Sequence, residues 1–124
     1  MKLHQDTSGA LNTVTAYGAG YVEINLERHE HSIIVMPQAP VMPWPVSSFD
    51  ALSAEHFALL IEPAPEVVVF GSGGRLRFPH PRLTAALAAR RIGVETMDSQ
   101  AACRTYNILM AEGRKVAAAI LIEP

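Results

Sequence analysis

Residues 92–122, IGVETMDSQAACRTYNILMAEGRKVAAAILI, carry two strands and the helix between them. Residues 92–96 are short and extended. Asp98 is placed to cap a helix over 99–112, its carboxylate accepting from first-turn N–H groups. Gly113 suits the left-handed stop at the helix end. Residues 115–122, KVAAAILI, are almost continuously apolar, the pattern of a strand buried on both faces. Two strands joined through a helix belong to one sheet and run parallel.

The same alternation extends upstream. EVVVF (66–70) is a second continuously apolar strand, broken by Gly71-Ser72-Gly73-Gly74. Pro81 opens a helix over 81–91, with Gly93 as its stop. An earlier helix is predicted over 53–62, with Ser53 as cap, Leu52 and Phe57 as its hydrophobic staple, and Pro63 as terminator. Before it, Pro40, Pro43 and Pro45 make an extended crossing that is neither helix nor central strand. Val22, Ile24 and Leu26 share one side of a strand over 20–27. HSIIVM (31–36) reads as its hairpin partner, with Arg28–Glu30 as the turn, and an edge strand is expected near 13–17. The expected fold is α/β: three layers, a central mixed sheet of about five strands, helices on both sides and an N-terminal β-hairpin. The 124 residues suit one domain over 1–124, with 1–12 a loosely held lead-in.

Hydrophobic residues make up 49% and charged residues 18%, which argues against disorder. Ten basic and 12 acidic residues give a formal charge of -2, without the basic excess of a nucleic-acid binder. Cys103 is the single cysteine, so no internal disulfide forms and a reducing compartment fits. No stretch reaches the ~20 apolar residues of a membrane span, so no membrane insertion is expected, though docking on a membrane protein complex is open. The first residues, MKLHQDTSGALNTV, do not read as a signal peptide.

The block GVETMDSQAACRTYNILMAEGRKVAAAILI (93–122) resembles a small α/β family of unassigned biochemistry, the Mth938-like domains, whose mitochondrial members include respiratory complex I assembly factor 3. AYGAGYVEI (16–24), VMP (35–37) with Trp44 beyond it, and EVVVFGSGG (66–74) agree, so the resemblance covers roughly residues 13–122. It implies a three-layer fold around a mixed five-stranded sheet. It also implies a protein that binds other proteins, with no catalytic residue and no cofactor to carry over. Without a targeting presequence, a bacterial, cytoplasmic member is expected. The partner is another protein, and self-association is left open.

Two sets of residues are candidates for function. The first is the turn Gly71, Ser72, Gly73, Gly74 with Arg75 and Arg77, joined by Asp98 and Ser99 at the start of the 99–112 helix if the strand before that helix is the neighbouring one. Glycines at the carboxyl end of a buried strand let N–H groups converge on an anion such as phosphate or a nucleotide. The competing reading is a tight turn that needs positive φ. A dinucleotide fingerprint is disfavoured, because Leu76 stands where a third glycine belongs; no Gly-Lys-Ser/Thr of a P-loop follows. The second set is a partner surface of Trp44, Arg104, Tyr106 and Asn107. Gln100, Arg104 and Asn107 share one helix face, opposite Ala101, Ala102, Thr105, Ile108 and Leu109. Trp44 is either packed on its own core or an exposed anchor. Cys103 lies beyond the first turn, so a buried small residue is favoured over a nucleophile. The five histidines show no four-ligand spacing for structural zinc, and His29 and His31 are expected near an exposed hairpin turn.

Overall fold

A computed structural model describes residues 10–124. Among the described residues, two sheets are present. The smaller is antiparallel and consists of β1 (Val14–Gly18), β2 (Tyr21–Ile24) and β3 (Glu27–His29), in that order. The larger contains β4 (Ile33–Val35), β5 (Met42–Pro43), β6 (Val67–Gly71), β7 (Gly93–Met97) and β8 (Val116–Ile120), in the spatial order β5-β4-β8-β6-β7. Strands β8, β6 and β7 are parallel; β4 runs antiparallel to β8 and to β5. The helices are α1 (Ala54–Ala58), α2 (Pro81–Ala89) and α3 (Ser99–Ala111). The expected mixed five-stranded α/β fold is therefore present.

Alternation along the two central strands builds two cores. Every residue of β6 and β8 is buried. Val67, Val69, Val116, Ala118 and Ile120 point to one face, where α3 contributes Ala102, Cys103, Tyr106 and Met110 and the small sheet contributes Val14, Val22 and Ile24. Val68, Phe70, Ala117, Ala119 and Leu121 point to the other, where they meet Trp44, Phe57, Leu60 and Leu87. The helices after β6 and after β7 thus cover opposite faces. Since β7 lies on one side of β6 and β8 on the other, both crossovers have the same hand, right-handed by the general rule. Leu52 and Phe57, the staple pair, are both buried in the second core.

Gly71 is required by close approach. A Cβ there would stand 2.9 Å from the Ser99 Cα and 3.1 Å from the Ala102 Cβ, so only glycine lets α3 lie this close to β6.

The hairpin register differs from the sequence expectation. Residues 20–27 are not one strand: the chain reverses at Asn25 and Leu26, with φ of 51° and 71°. Two successive positive φ values suit a tight two-residue hairpin turn, and β2 pairs with β3 across it. Leucine in place of the usual glycine hid this turn, and Leu26 is tolerated because it is 80% exposed. Arg28 and His29 are consequently strand residues, and residues 33–35 pair with β8 and β5 instead of the small sheet. Of the lead-in expected over 1–12, residues 1–9 lie outside the described residues. Asn12 is held firmly: its Nδ2 donates to the Met36 and Ala39 carbonyls at 2.8 and 2.6 Å.

Candidate functional site

The carboxyl ends of β6, β7 and β8 lie side by side, so the glycine turn after β6 and the start of α3 after β7 meet. Ser99 joins them. Its N–H donates to the Gly73 carbonyl at 2.8 Å, its Oγ accepts from the Gly73 N–H at 2.9 Å, and its Oγ donates to the Leu121 carbonyl at 2.7 Å. Asp98 caps α3 as the sequence predicts, Oδ1 accepting from the Ala101 N–H at 2.9 Å.

The turn is braced from its other side as well. The fully buried Ser72 donates from Oγ to the Arg75 carbonyl at 2.8 Å and accepts from the Arg77 N–H at 3.0 Å. Arg77 folds back, donating to the Ser72 carbonyl at 2.7 Å, pairing with Glu123 and lying over the Phe49 ring at 4.7 Å. Burial opposes ionisation of Glu123, but bonds from the Phe49 N–H and from Arg77 outweigh it and hold its carboxyl below the ordinary range. Gly73 has φ of 102°, so the positive-φ reading of the turn is met there. Arg75 is exposed.

Beside the turn is a cavity of about 370 Å³. Its walls are the β1–β2 hairpin from Tyr17 to Val22, Gly73 and Gly74, and Ser99, Gln100 and Cys103 of α3. Among the described residues, Glu123 is the one charged lining residue. Asp98, Arg75, Arg77 and Arg104 do not line it. Burial pushes the Cys103 thiol up to about 12, so it stays protonated near neutral pH and is no activated nucleophile.

The candidate partner residues separate. Trp44 is 2% exposed, with its ring edge-to-face on Phe57 and Phe70 and its Nε1 donating to the His56 carbonyl at 3.0 Å. Of its two roles, the packed one is realised. Tyr106 is fully buried and donates to the Asn12 carbonyl at 2.7 Å; burial raises its pKa. Asn107 is turned toward the small sheet, accepting from the Val14 N–H at 2.9 Å and donating to the Val14 carbonyl at 2.8 Å. These three side chains therefore hold the protein's own chain, Trp44 and Tyr106 buried and Asn107 half-buried.

Arg104 alone of the four is exposed. Its Nη1 donates to the Tyr17 hydroxyl at 3.0 Å, which raises its pKa further. The polar face drawn through Asn107 is corrected by one position: the outward stripe is Gln100, Arg104 and Ile108, with Ile108 59% exposed. Ile108, expected on the packed face, faces outward instead; no local signal marks which of two adjacent residues turns out. His29 and His31 sit with ring centroids 6.1 Å apart. Among the described residues, no three His, Cys, Asp or Glu side chains are placed to hold a metal ion.

Residues 14–121 match the family described as a protein of unknown function (DUF498/DUF598). The chain is 38% identical over 93 residues to NADH dehydrogenase [ubiquinone] 1 alpha subcomplex assembly factor 3 of Mus musculus, covering 73% of this chain and 50% of that protein. The chain thus spans half the length of that relative. Its fold superposes on the crystal structure of a Bordetella parapertussis protein with a TM-score of 0.88 at 48% identity, covering 92% of this chain and 98% of that one. The solution structure of a Bordetella pertussis protein described as a Mth938-like domain gives a TM-score of 0.79 at 42% identity, covering 98% and 92%. The match along nearly the whole chain, from β1 to the end of β8, means that the chain belongs to the DUF498/DUF598 family, with the Mth938-like domains and complex I assembly factor 3 as its relatives.

Proposed function

We propose that this chain is a non-catalytic protein-interaction module, an assembly-factor-like protein that binds another protein. The observation that carries the reading is the outward stripe of α3. Ile108 exposes an apolar side chain one turn from Arg104, whose guanidinium is steadied by Tyr17 of the neighbouring sheet. A lone exposed apolar residue is ordinary. Beside it stands a held arginine, one of the residue types that carry most of the binding energy at interface centres. Kinship with an assembly factor supports the same direction. Among the described residues no helix is long and apolar enough to cross a membrane. The module would act from the bacterial cytoplasm, docking on a membrane protein complex without inserting.

The test is capture of tagged protein from its host's lysate, membranes included, beside Arg104→Ala and Ile108→Asp variants whose melting temperatures match the wild type. A partner held by the wild type and lost by both variants supports the reading. The same proteins on all three baits refute the surface.

The cavity wall of Gly73, Gly74 and Ser99 supports part of a second reading, a small-molecule or anion site at the Gly71–Gly74 turn with Arg75, Arg77, Asp98 and Ser99, in a protein that would then be a ligand binder or an enzyme. It requires phosphate or a nucleotide to raise the melting temperature by linkage. Against it, the Gly73 N–H is already engaged by Ser99, Arg77 is neutralised by Glu123, and the cavity presents a carboxylate. A shift that persists in Gly73→Val would remove the turn from the site.

A further inference from the structure

The two rims of the larger sheet are treated differently by the sequence. One rim, β5, is two residues long; Pro43 has no N–H to offer, and Pro40 and Pro45 flank it. Such a rim resists further strand pairing. The other rim, β7, has five residues, no proline and no lysine, in unbroken register with β6. The Ser72 N–H donates to the Met97 carbonyl at 2.8 Å, which turns the backbone groups of Met97 toward β6. Alternate residues of a parallel ladder share that direction, so Gly93 and Glu95 also face β6. Val94 and Thr96 then direct their N–H and C=O groups outward, and among the described residues no strand pairs with them. Glu95 is exposed at mid-strand, and among the described residues no ion pair engages it.

We propose that the outer edge of β7 is a docking site for an extended strand of a partner protein carrying lysine or arginine opposite Glu95. The main-chain groups of Val94 and Thr96 supply hydrogen bonds to any extended chain, and the Glu95 carboxylate selects its charge. A second copy of this chain fits poorly: antiparallel pairing centred on the strand would set Glu95 against its own mate, a like-charge pair directly opposite. The inference does not depend on the α3 stripe, and the variants below leave Arg104 and Ile108 intact.

The test is selection of a random-sequence peptide library against the immobilised full chain. The expected binders are extended, free of proline at the paired positions and basic, and they slow hydrogen exchange at the Val94 and Thr96 amides. Thr96→Pro removes an outward N–H while sparing the ladder to β6, and should weaken these binders by about tenfold or more. Glu95→Lys, a surface change that keeps the test valid should the proline variant fail to fold, should do the same and favour acidic peptides instead. Thr96→Val should bind as the wild type does. Binders indifferent to Glu95→Lys and Thr96→Pro, or none that protects those two amides, would overturn the proposal. A dimer that forms with concentration and is lost in Thr96→Pro would overturn the choice of partner, in favour of a second copy.

Discussion

Replacing Asn107 by alanine removes a side chain that serves as a one-residue strand partner for Val14. Its oxygen accepts from the Val14 N–H at 2.9 Å and its Nδ2 donates to the Val14 carbonyl at 2.8 Å. Val14 is 6% exposed, so water is a poor substitute for either bond. A net hydrogen bond is worth about 0.5–1.5 kcal/mol, and leaving a buried partner unsatisfied costs about 1–3 kcal/mol. Two such bonds, with partial access of water, give an expected loss of about 2–4 kcal/mol. Urea unfolding followed by Trp44 fluorescence measures it, because Trp44 is buried in the opposite core and reports global loss of packing. Arg104→Ala, on the exposed side of the same helix, is the control and should stay within about 0.5 kcal/mol. Asn107→Asp keeps the acceptor but sets a carboxylate against the Val14 carbonyl, so it should not rescue. Tyr106→Phe, losing the 2.7 Å bond to the Asn12 carbonyl, should cost about 1 kcal/mol. The double variant should cost less than the sum, since both bonds hold the same few residues at the start of β1. An Asn107→Ala variant within about 0.5 kcal/mol of wild type would refute the reasoning and mean that apolar packing alone holds β1.

Gly73→Val should destabilise by about 2 kcal/mol or more in the same assay, because a Cβ at φ of 102° would also stand 2.6 Å from Arg77 Nη2 and Glu123 Oε1; Gly74→Ala, with open space around it, should be nearly neutral. The Cys103 thiol should resist alkylation in the native protein at neutral pH and react fully once unfolded, since burial raises its pKa to about 12. Glu123 has a folded pKa below its ordinary value of 4.5, so its contribution to stability is full above that pH and lost as pH falls through the folded value. Glu123→Gln should therefore lower stability at neutral and alkaline pH and flatten the acid limb of a stability–pH profile, the two variants converging at low pH.

The cap at Asp98, the proline start of α2 and the two apolar strands were legible because each depends on a few adjacent residues. The meeting of the glycine turn with α3 was open in the sequence: parallel strands end on the same side, but only the strand order makes β6 and β7 neighbours. The β2–β3 turn was not legible, since Asn25-Leu26 lacks the glycine that usually marks two positive φ values. Of the candidate surface, one residue in four was legible. Arg104 faces outward as expected, but Tyr106, Asn107 and Trp44 bond to or pack against segments remote in sequence.

Local chemistry and periodicity by themselves determined the order of strands and helices in the second half, their caps, and the α/β class. The tertiary structure alone decided which polar groups remain free. Asn107 and Val14 lie 93 residues apart, and Arg77 and Glu123 lie 46 apart. No window of sequence holds both members of such a pair. Whether a polar side chain is a surface or a strut depends on the partner that folding delivers, because a backbone group buried by one element must be satisfied by another.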